Sequence, residues 1–165
     1  SVTIPVIANG NILNIDSRDQ AYSRTAVDGL MVSRGALGCP WIFQMLKGGS
    51  TVISLEQWRK TLIRHIDLQF ETYGDDAGAA VRLRKHILWY CRGWPGAKTV
   101  RDRINKLHSI AEGREIIAEF CQWVGAQGVT ELDLQTTDTQ SNQMFSWDPK
   151  WEMDRQLDRG VGHLS

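Results

Sequence analysis

The chain carries two kinds of hydrophobic pattern in succession. Residues 3–8 are apolar almost without interruption, and the run closes on Asn9-Gly10-Asn11. Residues 28–33 (Asp-Gly-Leu-Met-Val-Ser) repeat the arrangement and close on Arg34-Gly35. A short apolar run without alternation predicts a strand covered on both faces, as in a parallel sheet. Between the runs, Asp16 or Ser17 can cap a helix over about 17–26. Beyond the second run, Gly35 and Gly38 give a tight turn, and Pro40 fits the first turn of a short helix through Leu46. Strand, polar Gly-bearing loop and helix, twice over, are units of a parallel β/α fold. Two such units are two-eighths of a TIM barrel. The expected piece is the end of a barrel that is incomplete within this chain.

At Gly48-Gly49-Ser50 the pattern changes, and a domain boundary is expected there, dividing 1–49 from 50–128. Ser54 with Gln57 reads as a capping box. Behind it Trp58, Leu62, Ile66, Phe70 and Tyr73 recur every three or four residues, the period of one helix face. Gly74 ends that helix and Asp75 can cap the next. The second helix points Val81, Ile87, Leu88 and Cys91 toward a core and stops at Gly93, with Pro95 beyond. A third is expected around Val100, Ile104 and Leu107. A fourth opens on Ser109 with Glu112, buries Ile116, Ile117 and Phe120, and ends at Gly125 and Gly128. The fold class is therefore mostly α overall: the last two β/α units of a TIM barrel followed by a four-helix C-terminal domain. From 129 to 165 the pattern fades into an acidic, partly disordered tail. Residues 135–143 are polar and short of core positions, and Phe145, Trp147 and Trp151 return some aromatic content.

Composition adds three constraints. With 165 residues, 42% hydrophobic and 23% charged, the chain has enough apolar content for a packed core. The net charge is zero, but the total hides a split: Arg82 to Lys106 holds eight basic residues and one acid, while Glu131 to Asp158 holds seven acids and two bases. An excess of that size in one stretch marks a candidate polyanion surface. The three cysteines (Cys39, Cys91, Cys121) are far apart and unpaired by any CxxC, which fits a reducing compartment and excludes a zinc site of that type. No run approaches membrane-spanning length and no signal pattern opens the chain, so the expected location is the cytoplasm, with no membrane partner. No His, Cys or Asp cluster has metal-ligand spacing. His65 and His108 read as ordinary helix-face residues, and His163 lies in the tail.

Two motifs carry candidate chemistry. Asn9-Gly10-Asn11 and Ser33-Arg34-Gly35 each follow a strand. Glycine lets backbone approach a ligand, and Arg34 can fork onto a phosphate. Two adjacent strand ends converging on one anion is the arrangement by which TIM barrels bind phosphate; for either loop alone, an ordinary tight turn with a surface arginine explains the residues equally well. The second motif is a helix face. Arg82, Lys85, His86 and Trp89 stand at i, i+3, i+4 and i+7, and Arg92 extends the stripe by a turn. Cations with an interleaved aromatic suit RNA, whose phosphates meet Arg and Lys while an unstacked base rests on a ring. The competing reading is a solvated charged face.

The segments IPVIANGNI and DGLMVSRGALGCPWIF, with SLEQWRKTLIRHIDLQFETYG, RLRKHILWYCRGWPGA and RDRINKL, resemble bacterial flavin-dependent tRNA-dihydrouridine synthases over roughly residues 3–120. The resemblance implies that Asn9, Gly10, Asn11, Ser33, Arg34 and Gly35 hold the phosphate of FMN. Asn11 stands where the family usually has Asp and Ser33 where it usually has Gly; both replacements are small or hydrogen-bonding. The family's Arg-Lys-His-x-x-Trp-Tyr motif faces the active-site side, which makes Arg82, Arg84, Lys85, His86, Trp89 and Arg92 candidates for tRNA contact. The family reduces uridine with FMN, itself reduced by NADPH. Its proton-donating cysteine and its supporting lysine lie on earlier barrel segments, so no catalytic residue is expected in this chain, and Cys39 is not that cysteine. Alone the chain is expected to be inactive and to hold FMN weakly, its partners being tRNA and either a missing N-terminal barrel segment or another copy. The alternatives are a helical RNA-binding module without catalysis, or a different flavin barrel related to dihydroorotate dehydrogenases. The helical segment from Ser54 to Phe120 is surplus to that last possibility.

Overall fold

In a computed structural model, residues 2–135 are described. The chain is mostly helical. Strand β1 (Ile7–Asn9) pairs in parallel with β2 (Gly29–Met31), Ile7 opposite Gly29, and α1 (Ile15–Arg24) crosses between them. Asp28 fixes the start of the pair: its carboxylate accepts from the Val6 N–H at 2.7 Å and its own N–H donates to the Val6 carbonyl at 2.8 Å. A 3-10 turn at 34–36 leads to α2 (Ile42–Met45). Strand β3 (Val52–Ser54) then opens a four-helix unit: α3 (Leu55–Tyr73), α4 (Ala77–Tyr90), α5 (Ala97–Asn105) and α6 (Ile110–Ala126). Strand β4 (Glu131–Asp133) returns to lie antiparallel to β3.

Local chemistry accounts for the helix ends, with corrections to the expected caps. Asn14, not Asp16 or Ser17, caps α1. Its side chain accepts from the Ser17 N–H while the Ser17 hydroxyl accepts from the Asn14 N–H, so Ser17 is the far half of a capping box and the helix begins two residues early. The Ser54–Gln57 box forms as expected. Asp76 takes the cap of α4 in place of Asp75, whose carboxylate instead accepts from the Ile110 N–H at 2.6 Å, at the head of α6. Ser109 accepts from the Glu112 N–H, but the Glu112 carboxylate accepts from His108 rather than from Ser109, so that box is only half made. His108 accordingly lies in the α5–α6 connection, not on a helix face.

One core serves the helical unit. Trp58, Leu62 and Ile66 of α3 meet Leu83 and Ile87 of α4, Ile104 of α5, and Ile116, Ile117 and Phe120 of α6. The expected α3 stripe stops at Ile66. Phe70 and Tyr73 are 44% and 49% exposed, covered in part by the guanidinium groups of Arg114 and Arg82. Val81, expected to face the core, is half exposed. The β/α pair buries a smaller set, Ile12, Ile42 and Met45. Its strands are shorter than the apolar runs that encode them, and the expected burial on both faces is not found: Ile4, Ile7 and Met31 are 69%, 58% and 55% exposed, because no described residue covers them.

Among the described residues no helix is long and apolar enough to cross a membrane. The expectations for 136–165, including the aromatic residues Phe145, Trp147 and Trp151, lie outside the described residues. The buried indole N–H of Trp58 donates to the Tyr90 carbonyl at 2.7 Å, joining α3 to the end of α4. Trp58→Phe is expected to lower the unfolding free energy by about 1–3 kcal/mol, the cost of an unsatisfied buried carbonyl, as read by urea denaturation.

Candidate functional site

The two Gly-bearing loops come together at the ends of β1 and β2. Gly10 has φ +143 and open space where a side chain would stand. Asn11 follows at φ 48, and its side-chain oxygen accepts a hydrogen bond from the Arg34 guanidinium, linking one loop to the other. Asn9, Asn11, Ser33 and Arg34 are exposed, and among the described residues no carboxylate pairs with Arg34. Gly35 does something different. A methyl there would run into the Ile12 carbonyl and the Ile42 side chain, so its lack of a Cβ lets the second loop close onto the first. The site therefore presents a guanidinium, amides and a hydroxyl with space beside them, a donor set suited to a phosphate.

Three residues further on, Gly38 (φ +72) brings the loop against the last turn of α4. A Cβ at this position would collide with the Trp89 carbonyl and the Tyr90 amide. Trp41 seals the contact edge-on to Tyr90, ring centroids 6.1 Å apart. Between the loops and the helical unit lies a cleft of about 520 Å³. Asn11, Arg34 and Gly35 line one side; Trp89, Arg92 and Trp94 line the other; Cys39 stands at the junction. The structure thus joins the two motifs: the end of the basic stripe opens into the cleft that the phosphate-type loops border.

The stripe itself divides. Arg82 lies over the Tyr73 ring at 4.5 Å and 4.0 Å from Asp76. Lys85 is exposed. Arg84 turns back and donates from two nitrogens to the Leu107 carbonyl, at 2.6 and 3.2 Å, tying α4 to the end of the α5 segment. His86 is half-buried between Trp89 (5.3 Å) and His65 of α3 (4.7 Å). Burial holds both imidazoles below the ordinary histidine range, and His86 is lowered further by His65 and Lys85. His65 is therefore part of this surface rather than an ordinary helix-face residue. Its signal was present in the basic run Arg59-Lys60 and Arg64-His65, which shares α3 with the apolar stripe.

The remaining thiols are chemically quiet. Burial pushes the Cys91 thiol up to about 12 and Cys121 to about 11, far from the thiolate a nucleophile requires. Among the described residues no three His, Cys, Asp or Glu side chains gather as a metal site.

A family model described as dihydrouridine synthase matches residues 1–126. A probable tRNA-dihydrouridine synthase of Rickettsia typhi is 36% identical over 126 residues, which is 73% of this chain and 38% of the relative. The corresponding protein of Helicobacter pylori is 34% identical over 116 residues, 70% of this chain and 35% of the relative. tRNA-dihydrouridine synthase B of Pseudomonas syringae pv. tomato is 33% identical over 142 residues, 80% of this chain and 42% of the relative. The chain belongs to the dihydrouridine synthase family, and it spans about two-fifths of the length of the curated relatives it matches.

Gly38→Ala is expected to lower stability by about 2 kcal/mol or more, through positive-φ strain and the backbone collision. Hydrogen exchange would show the effect as lost protection at 35–41 and at the end of α4, with α6 unaffected.

Proposed function

We propose that this chain is the C-terminal part of a flavin-dependent tRNA-dihydrouridine synthase. It supplies the grip for the FMN phosphate and the helical surface that receives tRNA. One observation carries the reading: Arg34, bonded to Asn11 across the two loops, borders the same cleft as Trp89 and Arg92 of the basic stripe. A site that brings an anion cradle and a cationic-aromatic helix to one opening suits an enzyme whose phosphate-bearing cofactor must meet a nucleic acid.

In this reading Arg34, Asn11, Ser33 and the backbone at Asn9 and Gly10 hold the phosphate, and Gly35 shapes the cradle without touching it. FMN, when bound, supplies the hydride that saturates the uracil ring, with NADPH as the source of reducing equivalents. Lys85 and Arg82 on α4 and Arg92 just past its end bind RNA phosphates, and Trp89 offers a ring at the cleft for an unstacked base. Arg84 acts through the fold, by fixing α4 on the Leu107 carbonyl. No residue here is assigned to proton transfer. The exposed apolar strands β1 and β2 support further strands as their cover, from the portion of the enzyme that the relatives possess and this chain does not span, or from a second copy. A tRNA-modifying enzyme works where its tRNA is, in the cytoplasm.

Two measurements test the reading. The chain should retain FMN when coexpressed with the unmatched portion of the Rickettsia typhi relative, and Arg34→Ala should lower that retention by about tenfold, the loss of one charge-assisted phosphate contact. Unchanged flavin content in the variant would remove Arg34 from the cradle. Failure to retain flavin in any pairing, with tRNA still bound, would leave a helical RNA-binding module. For the RNA surface, Arg82→Glu with Lys85→Glu should weaken tRNA binding and reduce the slope of log affinity against log salt by about 2. An unaltered slope would make the stripe a solvated face.

A further inference from the structure

Helix α3 lies alongside α4 and brings cations of its own to the surface. A shallow groove of about 560 Å³ beside Pro40 is lined by Lys60, Thr61, Arg64, His65, Leu68 and Tyr90. His86 reaches His65 from α4, with ring planes tilted by 53° and centroids 4.7 Å apart. The groove is thus continuous with the stripe through a pair of touching imidazoles.

Among the described residues, cations from both helices flank that pair. From α3 come Lys60 and Arg64; from α4 comes Lys85, and α4 contains no acidic residue at all. Tyr90 of α4 also faces His65, at 5.7 Å, and burial with Cys39 nearby pushes its hydroxyl to about 12, so it stays neutral. The carboxylates of α3 are engaged by arginines: Glu56 by Arg59, Asp67 by Arg114 and Glu71 by Arg64, the last an exposed pair at 3.1 Å. Two half-buried imidazoles in contact beside lysine and arginine cannot hold a proton cheaply without an anion. A phosphodiester in the groove is such an anion, and at neutral pH it carries no proton to give. The proton must then come from solvent onto an imidazole nitrogen, with no bond to the RNA made or broken.

We propose that the groove on α3 receives a phosphodiester of the RNA bound along α4, and that the His65–His86 pair takes up a proton as it binds. The inference rests on the tRNA reading above and extends the footprint from one helix to two, making its affinity proton-linked. The sign follows from linkage. The pair is neutral in the free protein and charged in the complex, so affinity rises as pH falls through the bound-state titration and levels off below the free-state one.

The test uses the 165-residue chain. Its affinity for tRNA is measured by fluorescence anisotropy at fixed salt between about pH 6 and 8, and proton uptake is measured by calorimetry in buffers of differing ionisation heat. One unit of pKa difference between free and bound protein corresponds to about tenfold tighter binding at the acidic end. For that difference uptake should peak at about half a proton per complex, between the two titrations, and fall away on either side. His65→Gln should flatten the profile while keeping the affinity seen near pH 8, whereas Lys60→Glu with Arg64→Glu should weaken binding at every pH. Binding without proton uptake, or a His65→Gln profile as steep as the original, overturns the proposal and leaves the α4 surface intact. Absence of tRNA binding at any pH overturns the tRNA reading itself. Should His65→Gln fail to fold, the uptake measured on the unaltered chain still decides.

Discussion

The close approach at Gly38 is the constraint on which the arrangement depends. With no Cβ and a positive φ, Gly38 lets the loop after β2 rest directly on the backbone of Trp89 and Tyr90. From the opposite side the Trp58 indole donates to the Tyr90 carbonyl. The last turn of α4 is therefore gripped twice, once by the β/α pair and once by the helical core. Sliding α4 by a turn would break both grips at once. That is what fixes the width of the cleft between Arg34 on one wall and Trp89 and Arg92 on the other. The two Gly-bearing loops and the basic helix border one cleft only because a glycine and a tryptophan hold the same two residues.

The same geometry separates cations that a charge count treats as equal. The excess between Arg82 and Lys106 contributes to the long-range field less what nearby carboxylates such as Asp76 and Glu119 cancel. At contact range its members differ. Arg84 is committed to the Leu107 carbonyl, and Arg103 to Glu119 at 2.5 Å. Arg82 is shared between the Tyr73 ring and Asp76. A field needs only the sum of charges, whereas a phosphate contact needs a donor that can leave its present partner. Arg92 lies where the field and the opening coincide, and Lys85 is exposed on the same stripe; Arg84 contributes to the field alone.

What could be read from the chain was what local chemistry encodes. Helix starts follow from side chains that satisfy nearby amides, so the Ser54–Gln57 box was legible and the α1 cap was missed by two residues, Asn14 having a rival in Asp16. That Asn9-Gly10-Asn11 and Ser33-Arg34-Gly35 lie side by side was legible from their places after two neighbouring strands. Properties set by distant partners were not. Strand β4 is three residues long and exists only through pairing with β3, nearly eighty positions earlier. The exposure of Phe70, Tyr73 and Val81 reflects where neighbouring helices stop, which periodicity along one helix does not contain. Gly35 shows the same limit: the sequence marks it as a close approach but does not say whether a ligand or the Ile12 carbonyl makes it.

The two parts of the chain are also unequally held. The helical unit has a core shared by four helices and a strand, whereas the β/α pair buries Ile12, Ile42 and Met45 and leaves its strand residues open. Local opening costs least where few apolar contacts are lost, so the two Gly-bearing loops stand on the weaker part. Anything that binds the closed form of these loops, or adds strands to β1 and β2, stabilises that part by mass action. The Gly38 contact passes the gain onward: ordering the loop also orders the end of α4, where Trp89 and Arg92 wait. Loops and basic helix are then coupled through one backbone contact: the helix surface at the cleft is best formed when the loops beside it are held.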